Sequence, residues 1–382
     1  KCKSRRLCRL SVRLPLSIRV AKSTICIISY PTIFWVKIVL EKYIAANILS
    51  IQRQHCLRVQ KEPFSKKYTF FPYKINTNLG NLNVLTNLLC GVHRLRPGDI
   101  DVVAAIGDSL VAGSGALEEF ALGAFIEYRG VSWCAGGDST WREFLTLPNI
   151  IREFNPALRG YSSGTGEWLT RNAALNVAFP VASDQDAYKQ AKILVARMRS
   201  TPGIDIARHW KMITVFIGAN DLCSASCLSP VAWSPAAHAG KLARALDYFQ
   251  THLPRTIVNL VPVLGQYSCF YGRYDTRPDF AVVLQPFMRL FNAPFPPRPP
   301  LQRVIHQSYI THDCFHFSQK GHALAANLLW NNLLEPVGNK SESDPPVLLR
   351  RFRCPTRDAP FIFTAGNSPG YLKTGVQDGA YD

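Results

Sequence analysis

The amino-acid sequence predicts an α/β fold with a mostly parallel sheet covered on both faces. Short, continuously apolar runs of strand length recur along the chain, as expected of strands buried on both sides. Stretches with apolar residues at helical spacing separate them, and this alternation favours parallel pairing through right-handed crossovers. The third observation is positional. Residues able to do chemistry follow the apolar runs, at the edge where open α/β sheets gather their ligands.

The first strand is expected at 102–106 (Val-Val-Ala-Ala-Ile), broken by Gly107-Asp108-Ser109. A helix is expected near 117–127, a loop over 130–141, and a helix over 147–154 with one buried face. Residues 173–177 read as a second strand and 188–199 as an amphipathic helix. A third strand is expected at 210–217, ending on Gly218-Ala219-Asn220-Asp221. A helix near 240–253, a fourth strand at 256–264, a Pro-rich loop at 294–300 and a final helix at 321–334 complete the pattern. From Gly338 onward the chain is rich in Gly, Pro and polar residues, which suits a tail or linker.

An apolar fraction of 47% with 18% charged residues is globular. The net charge of +18 invites a nucleic-acid reading, but its distribution argues against one. Residues 1–70 hold fifteen Lys/Arg against Glu41 and Glu62, so they carry +13 of the total and leave the bulk mildly basic. The apolar stretch between 25 and 36 follows basic clusters, as in a signal peptide or anchor, yet is short and interrupted for a membrane span. No function is assigned to 1–88. Eleven cysteines without paired Cys-x-x-Cys knuckles favour a few disulfides over structural zinc. With the sequon at Asn339-Lys340-Ser341, they point to an extracellular or lumenal setting.

The strand ends hold the chemistry. Ser109 follows the first strand, where it is either a nucleophile whose own N–H helps to hold an oxyanion or simply the cap of the next helix. Asn220 follows the third strand, and Asp313 and His316 precede the last helix. A serine, an amide and an Asp/His pair at one edge are what acyl transfer requires. The serine attacks, the histidine takes its proton, the carboxylate fixes the imidazole, and N–H donors hold the oxyanion.

Three blocks in order, Gly107-Asp108-Ser109-Leu110, Gly218-Ala219-Asn220-Asp221 and Asp313-Cys314-Phe315-His316, resemble the nucleophile, oxyanion and Asp-x-x-His blocks of the GDSL, or SGNH, hydrolases. Leu147-Pro148-Asn149-Ile150, Arg152-Glu153-Phe154-Asn155-Pro156 and the run from Trp330 to Gly338 resemble the membrane-associated phospholipase B branch. The likeness covers about 92–338, so the expected division is an N-terminal extension (1–88), a hydrolase domain (89–338) and a C-terminal tail (339–382). It implies a flavodoxin-like three-layer α/β/α sandwich, with Ser109 as nucleophile, His316 as base then acid, and Asp313 as its orienting carboxylate. Asn220, the N–H of Ser109 and the N–H at Val181 become oxyanion donors. It further implies phospholipid or lysophospholipid substrates, a membrane surface as partner, no nucleic acid, and neither metal nor organic cofactor.

One departure stands out. Val181 occupies the position where the family has glycine, which adds a β-branched side chain and resists any φ above zero that the loop demands. Hence a second reading stays open: a catalytically impaired hydrolase fold that binds lipid or a partner. Among other candidates, His312, Cys314, His316 and His322 have a metal-like spacing but no closed ligand set. His322 is expected on the surface or in packing, Asp108 as a turn-former, and Trp133 and Trp141 in packing or at a lipid-facing mouth. Cys223 and Cys227 either pair as a disulfide across an irregular loop or stay unpaired in an apolar role.

Overall fold

The computed structural model describes residues 91–222, 234–263, 268–290, 307–342, 352–356 and 358–374. The N-terminal extension, the Cys223/Cys227 pair and the Pro-rich loop lie outside these. Four strands, β1 (Val102–Gly107), β2 (Lys211–Phe216), β3 (Thr256–Leu260) and β4 (Phe280–Leu284), form one parallel sheet in the order β1-β2-β3-β4. β1 to β3 are buried along their whole length, which is why their sequences run apolar without alternation.

Successive β1 side chains feed two separate cores. Val103 and Ala105 pack with α1 (Ser109–Ala112), α2 (Leu147–Arg152) and α5 (Gln319–Leu333). Val102, Ala104 and Ile106 pack on the other side with α3 (Ala187–Ser200) and α4 (Pro235–His252). α3 buries Ala187, Ala191, Leu194, Val195 and Met198, a stripe at spacings of three and four. Thr146, Ser234 and Ser318 cap α2, α4 and α5 through their side-chain oxygens. The result is the three-layer α/β/α sandwich that the resemblance implies.

Three local expectations need correction. Residues 173–177 are not a regular strand. They lie beside β1 through the bonds Ala105 N→Leu175 O (3.1 Å) and Val177 N→Ala105 O (3.0 Å), with a single parallel bridge between Ala105 and Asn176. A short 3-10 turn at Arg171–Ala173 and a positive φ at Ala174 prevent a longer ladder. Counted second, this segment gives the order 2-1-3-4-5 of flavodoxin-like sheets. β4, a run of Phe-Ala-Val-Val-Leu, escaped the sequence reading. The helix expected at 117–127 is a 3-10 turn, Ala121–Phe125, inside an exposed loop. Its apolar residues have no core to face.

The C-terminal residues return to the body. Ile362 N donates to Leu95 O (2.8 Å) and Phe363 N to Leu333 O (2.9 Å), while Trp330 Nε1 donates to Arg353 O (2.8 Å). Arg353 also meets the buried Glu335 carboxylate at 3.0 Å. A last short helix, α6 (Ser368–Thr374), follows.

Candidate active site

Ser109 opens α1 directly beyond β1, and its side chain is 5% exposed. Asp108 precedes it as the N-cap, with Oδ1 accepting from Leu110 N at 3.0 Å. The tight exit from β1 explains Gly107. A Cβ there would fall 2.4 Å from the Phe216 carbonyl and 2.5 Å from Val111 Cγ2. Gln190, buried on α3, holds this turn from below. Its Oε1 accepts from Gly107 N and its Nε2 donates to Gly107 O, both at 2.8 Å.

Asn220 lies at the corresponding end of β2, which pairs in parallel with β1 from Val102↔Lys211 to Gly107↔Phe216. Its Nδ2 donates to Ala182 O at 2.9 Å, which ties it to the loop that carries Val181. A second tie follows, Asp184 N to Asp221 Oδ2 at 2.9 Å. Val181 sits at φ +56° with its side chain 81% exposed. The loop therefore does demand the left-handed region, and a β-branched residue occupies it at a cost of about 1–3 kcal/mol. Arg129 fixes the root of this loop. The fully buried guanidinium pairs with Glu127 and donates to the carbonyls of Gly166, Asn176 and Ala178.

Asp313 and His316 meet, with Nδ1 of the imidazole 2.5 Å from Oδ2 of the carboxylate. The other oxygen accepts from Thr311 Oγ1 (2.5 Å), Phe315 N (2.9 Å) and His316 N (3.0 Å). Burial alone would raise this carboxyl, but the hydrogen bonds prevail and hold it down to about 2. Asp313 is thus ionised throughout the physiological range, and its bond to Nδ1 selects the tautomer that presents a basic Nε2.

The serine and the Asp–His pair flank the same loop stem. Ser109 O accepts from Gly113 N (3.0 Å) and Ser114 N (3.1 Å). One residue on, a Cβ at Gly115 would come 3.6 Å from Cγ2 of Thr311, the threonine bonded to Asp313. Trp133 links the two groups from within, donating Nε1–H to Leu110 O (3.0 Å) and its backbone N–H to His322 Nδ1 (3.3 Å). His322 lies edge-on to Phe317, the residue after His316.

Residues 103–275 match the family model described as GDSL-like Lipase/Acylhydrolase. The chain carries a GDSL-like lipase/acylhydrolase domain. It is 38% identical over 326 residues to "Phospholipase B1, membrane-associated" of Rattus norvegicus, covering 72% of this chain and 22% of that protein. The proteins of the same name from Mus musculus (38%) and Homo sapiens (37%) match over 330 residues with the same coverage. The chain therefore spans about a fifth of the length of these curated relatives.

Within this GDSL domain, several residues had no assigned part in the sequence reading. Gln190 and Arg129 act on backbone groups distant in sequence, which no local pattern reveals. Asp184, Asp221 and His238 bring one ligating atom each within 4.8 Å of one another. Lys241 Nζ lies 2.7 Å from Asp184 Oδ1 and His238 Nδ1 lies 3.0 Å from Oδ2, so Asp184 already has a cation and a ring nitrogen as partners. Burial pushes Asp221 up to about 6, with the Asp184 N–H opposing. It pushes Asp108 up to about 7, opposed by the N–H groups of Leu110, Ala219 and Gly218. Only the Leu110 bond has full hydrogen-bond geometry, and Asp108 Oδ2 has no partner.

Trp133 and Trp141 are buried, in keeping with the packing alternative. His322 is buried rather than at the surface, and burial lowers its pKa to about 3. A groove of ≈ 280 Å³ between Leu158–Tyr161 and Thr201–Ile204 lies beside the start of β1, at the opposite end from Ser109.

Proposed function

We propose that this domain hydrolyses fatty-acyl esters of phospholipids and lysophospholipids, in the manner of phospholipase B. The observation that carries this reading is the Asp313–His316 pair beside the loop stem that Ser109 also holds. His316 Nε2 takes the hydroxyl proton as Ser109 attacks the acyl carbonyl carbon, and Asp313 steadies the imidazolium. The oxyanion is met by the N–H groups of Ser109 and Val181 and by the Asn220 amide, each donor contributing about 3–4 kcal/mol in the transition state. His316 then returns the proton to the departing lysophospholipid or glycerophosphodiester oxygen. Water, activated by the same imidazole, releases the fatty acid from the acyl-serine.

The names of the relatives support a membrane-surface substrate, and the disulfide at Cys354 favours an oxidising, extracellular or lumenal setting. A second reading, an impaired hydrolase fold that binds lipid, is favoured by the positive φ at Val181. Fatty-acid release from phosphatidylcholine separates the two. Release that Ser109→Ala abolishes while the fold persists supports the enzyme. A folded wild-type protein that releases none supports the binding protein.

A further inference from the structure

The loop between Gly113 and Tyr128 has closed ends and an uncovered apolar tip. Tyr128 N donates to Gly113 O (3.0 Å) and Gly115 N to Ile126 O (2.8 Å), and Ser114 and Glu127 form an antiparallel bridge. Inside the loop, the Tyr128 hydroxyl donates to Glu118, whose side chain fills the space over Gly123. The tip is therefore built rather than loose. It presents Phe120 (74% exposed), Leu122 (82%) and Phe125 (84%) to solvent. Three large apolar side chains so exposed on one short loop are unusual for a soluble surface and signal something they enter.

The position and charge of the tip identify the occupant. The stem of the loop is bonded to the carbonyl of Ser109 and borders Thr311, so whatever seats the tip is held against the reaction centre. Between Gly113 and Tyr128 there are three glutamates (118, 119, 127) and no lysine or arginine. Such a tip gains nothing from an anionic surface and enters an interface by apolar insertion alone. We propose that Phe120, Leu122 and Phe125 dock the domain onto a neutral, zwitterionic lipid surface, so that Ser109 faces acyl esters at the headgroup boundary. This rests on the phospholipid reading above.

The test is sedimentation with sucrose-loaded phosphatidylcholine vesicles, with the full chain carrying Ser109→Ala so that vesicles stay intact. The parent is expected to bind, with affinity changed less than about twofold by about 1 M NaCl. Adding Phe120→Ser, Leu122→Ser and Phe125→Ser is expected to weaken binding at least about tenfold. Undiminished binding by the triple variant overturns the proposal. So does binding that requires phosphatidylserine and disappears in salt, or a dimer in lipid-free solution that the triple variant dissociates.

A single Phe125→Trp substitution guards against misfolding. The emission it adds should shift to the blue with phosphatidylcholine vesicles, and no shift overturns the proposal. Hydrolysis is read apart from binding. Tip-dependent binding without Ser109-dependent fatty-acid release ends the enzymatic reading and leaves the docking surface standing. Release without tip-dependent binding ends the docking surface alone.

Discussion

The side-chain amide of Gln190 grips both backbone groups of Gly107 at 2.8 Å, joining α3 to the turn that delivers Ser109. Both partners are buried, so removing the amide strands an N–H and a carbonyl away from water. Gln190→Leu should destabilise the fold by about 2–4 kcal/mol and lower kcat more than it raises KM. Gln190→Glu can make both bonds only as the neutral acid, so it should do less harm than Gln190→Leu at acid pH and lose that advantage as the carboxyl ionises. Chemical denaturation and steady-state ester hydrolysis check this, and equal damage by both variants at acid pH would argue for mere packing.

Asp313→Asn tests the tautomer argument. The three donors at Oδ1 hold the amide oxygen there, so the NH2 faces Nδ1, donates to it and selects the wrong tautomer, and kcat should fall about 10³–10⁴-fold with KM little changed. Because Asp313 is held down to about 2, its titration does not shape the wild-type rate profile above pH 3. An acid limb that moves when Thr311→Val removes one of its hydrogen bonds would contradict that.

Val181→Gly separates strain from catalysis. The valine already holds the positive φ that glycine would adopt, so the N–H stays where the loop needs it. The side chain is largely exposed and so packs against little of the protein. The substitution should raise stability by about 1 kcal/mol, the relieved strain being partly offset by glycine's chain entropy. Turnover should change by less than about threefold. A hundredfold gain in kcat would show instead that valine disables the oxyanion loop.

Taken alone, His322 makes stability fall with acidification below about pH 6.5. Its folded pKa, lowered to about 3 by burial, lies below the unfolded value of 6.5, so the unfolded chain takes up a proton first. The slope from this group approaches about 1.4 kcal/mol per pH unit between those values. Asp108 acts oppositely. With its folded pKa raised to about 7, the stability it lends below the unfolded value of 3.8 is lost as pH rises from 3.8 to 7. Relative to wild type, the denaturation midpoint of Asp108→Asn should therefore drop as pH is lowered from 7 to 4.

The sequence made the sheet legible because strands buried on both faces leave uninterrupted apolar runs. β1, β2 and β3 all appear at the expected places, β1 one residue longer, β2 trimmed at both ends and β3 at its C-terminal end. Residues 173–177 carry the same apolar signal, yet the N–H and carbonyl of Gly107, which would extend their pairing along β1, are taken by the side chain of Gln190, 83 residues away. No local rule reports such a competitor. The loop 117–126 misled for the converse reason. Its apolar residues look like a helix face, but they point to solvent, and periodicity assumes a core. The motif serine, asparagine, aspartate and histidine were visible one by one. The side chains that hold their turns, Gln190 and Arg129, were not, because they bind backbone rather than one another.

Covalent labelling of the folded protein with a fluorophosphonate probe, followed by mapping of the modified peptide, addresses the nucleophile directly. The adduct is expected on Ser109 alone, and it should disappear in Ser109→Ala and fall sharply in His316→Ala. An unlabelled but folded protein, or an adduct at a different serine, would contradict the assignment of Ser109 as the residue that attacks the acyl carbonyl.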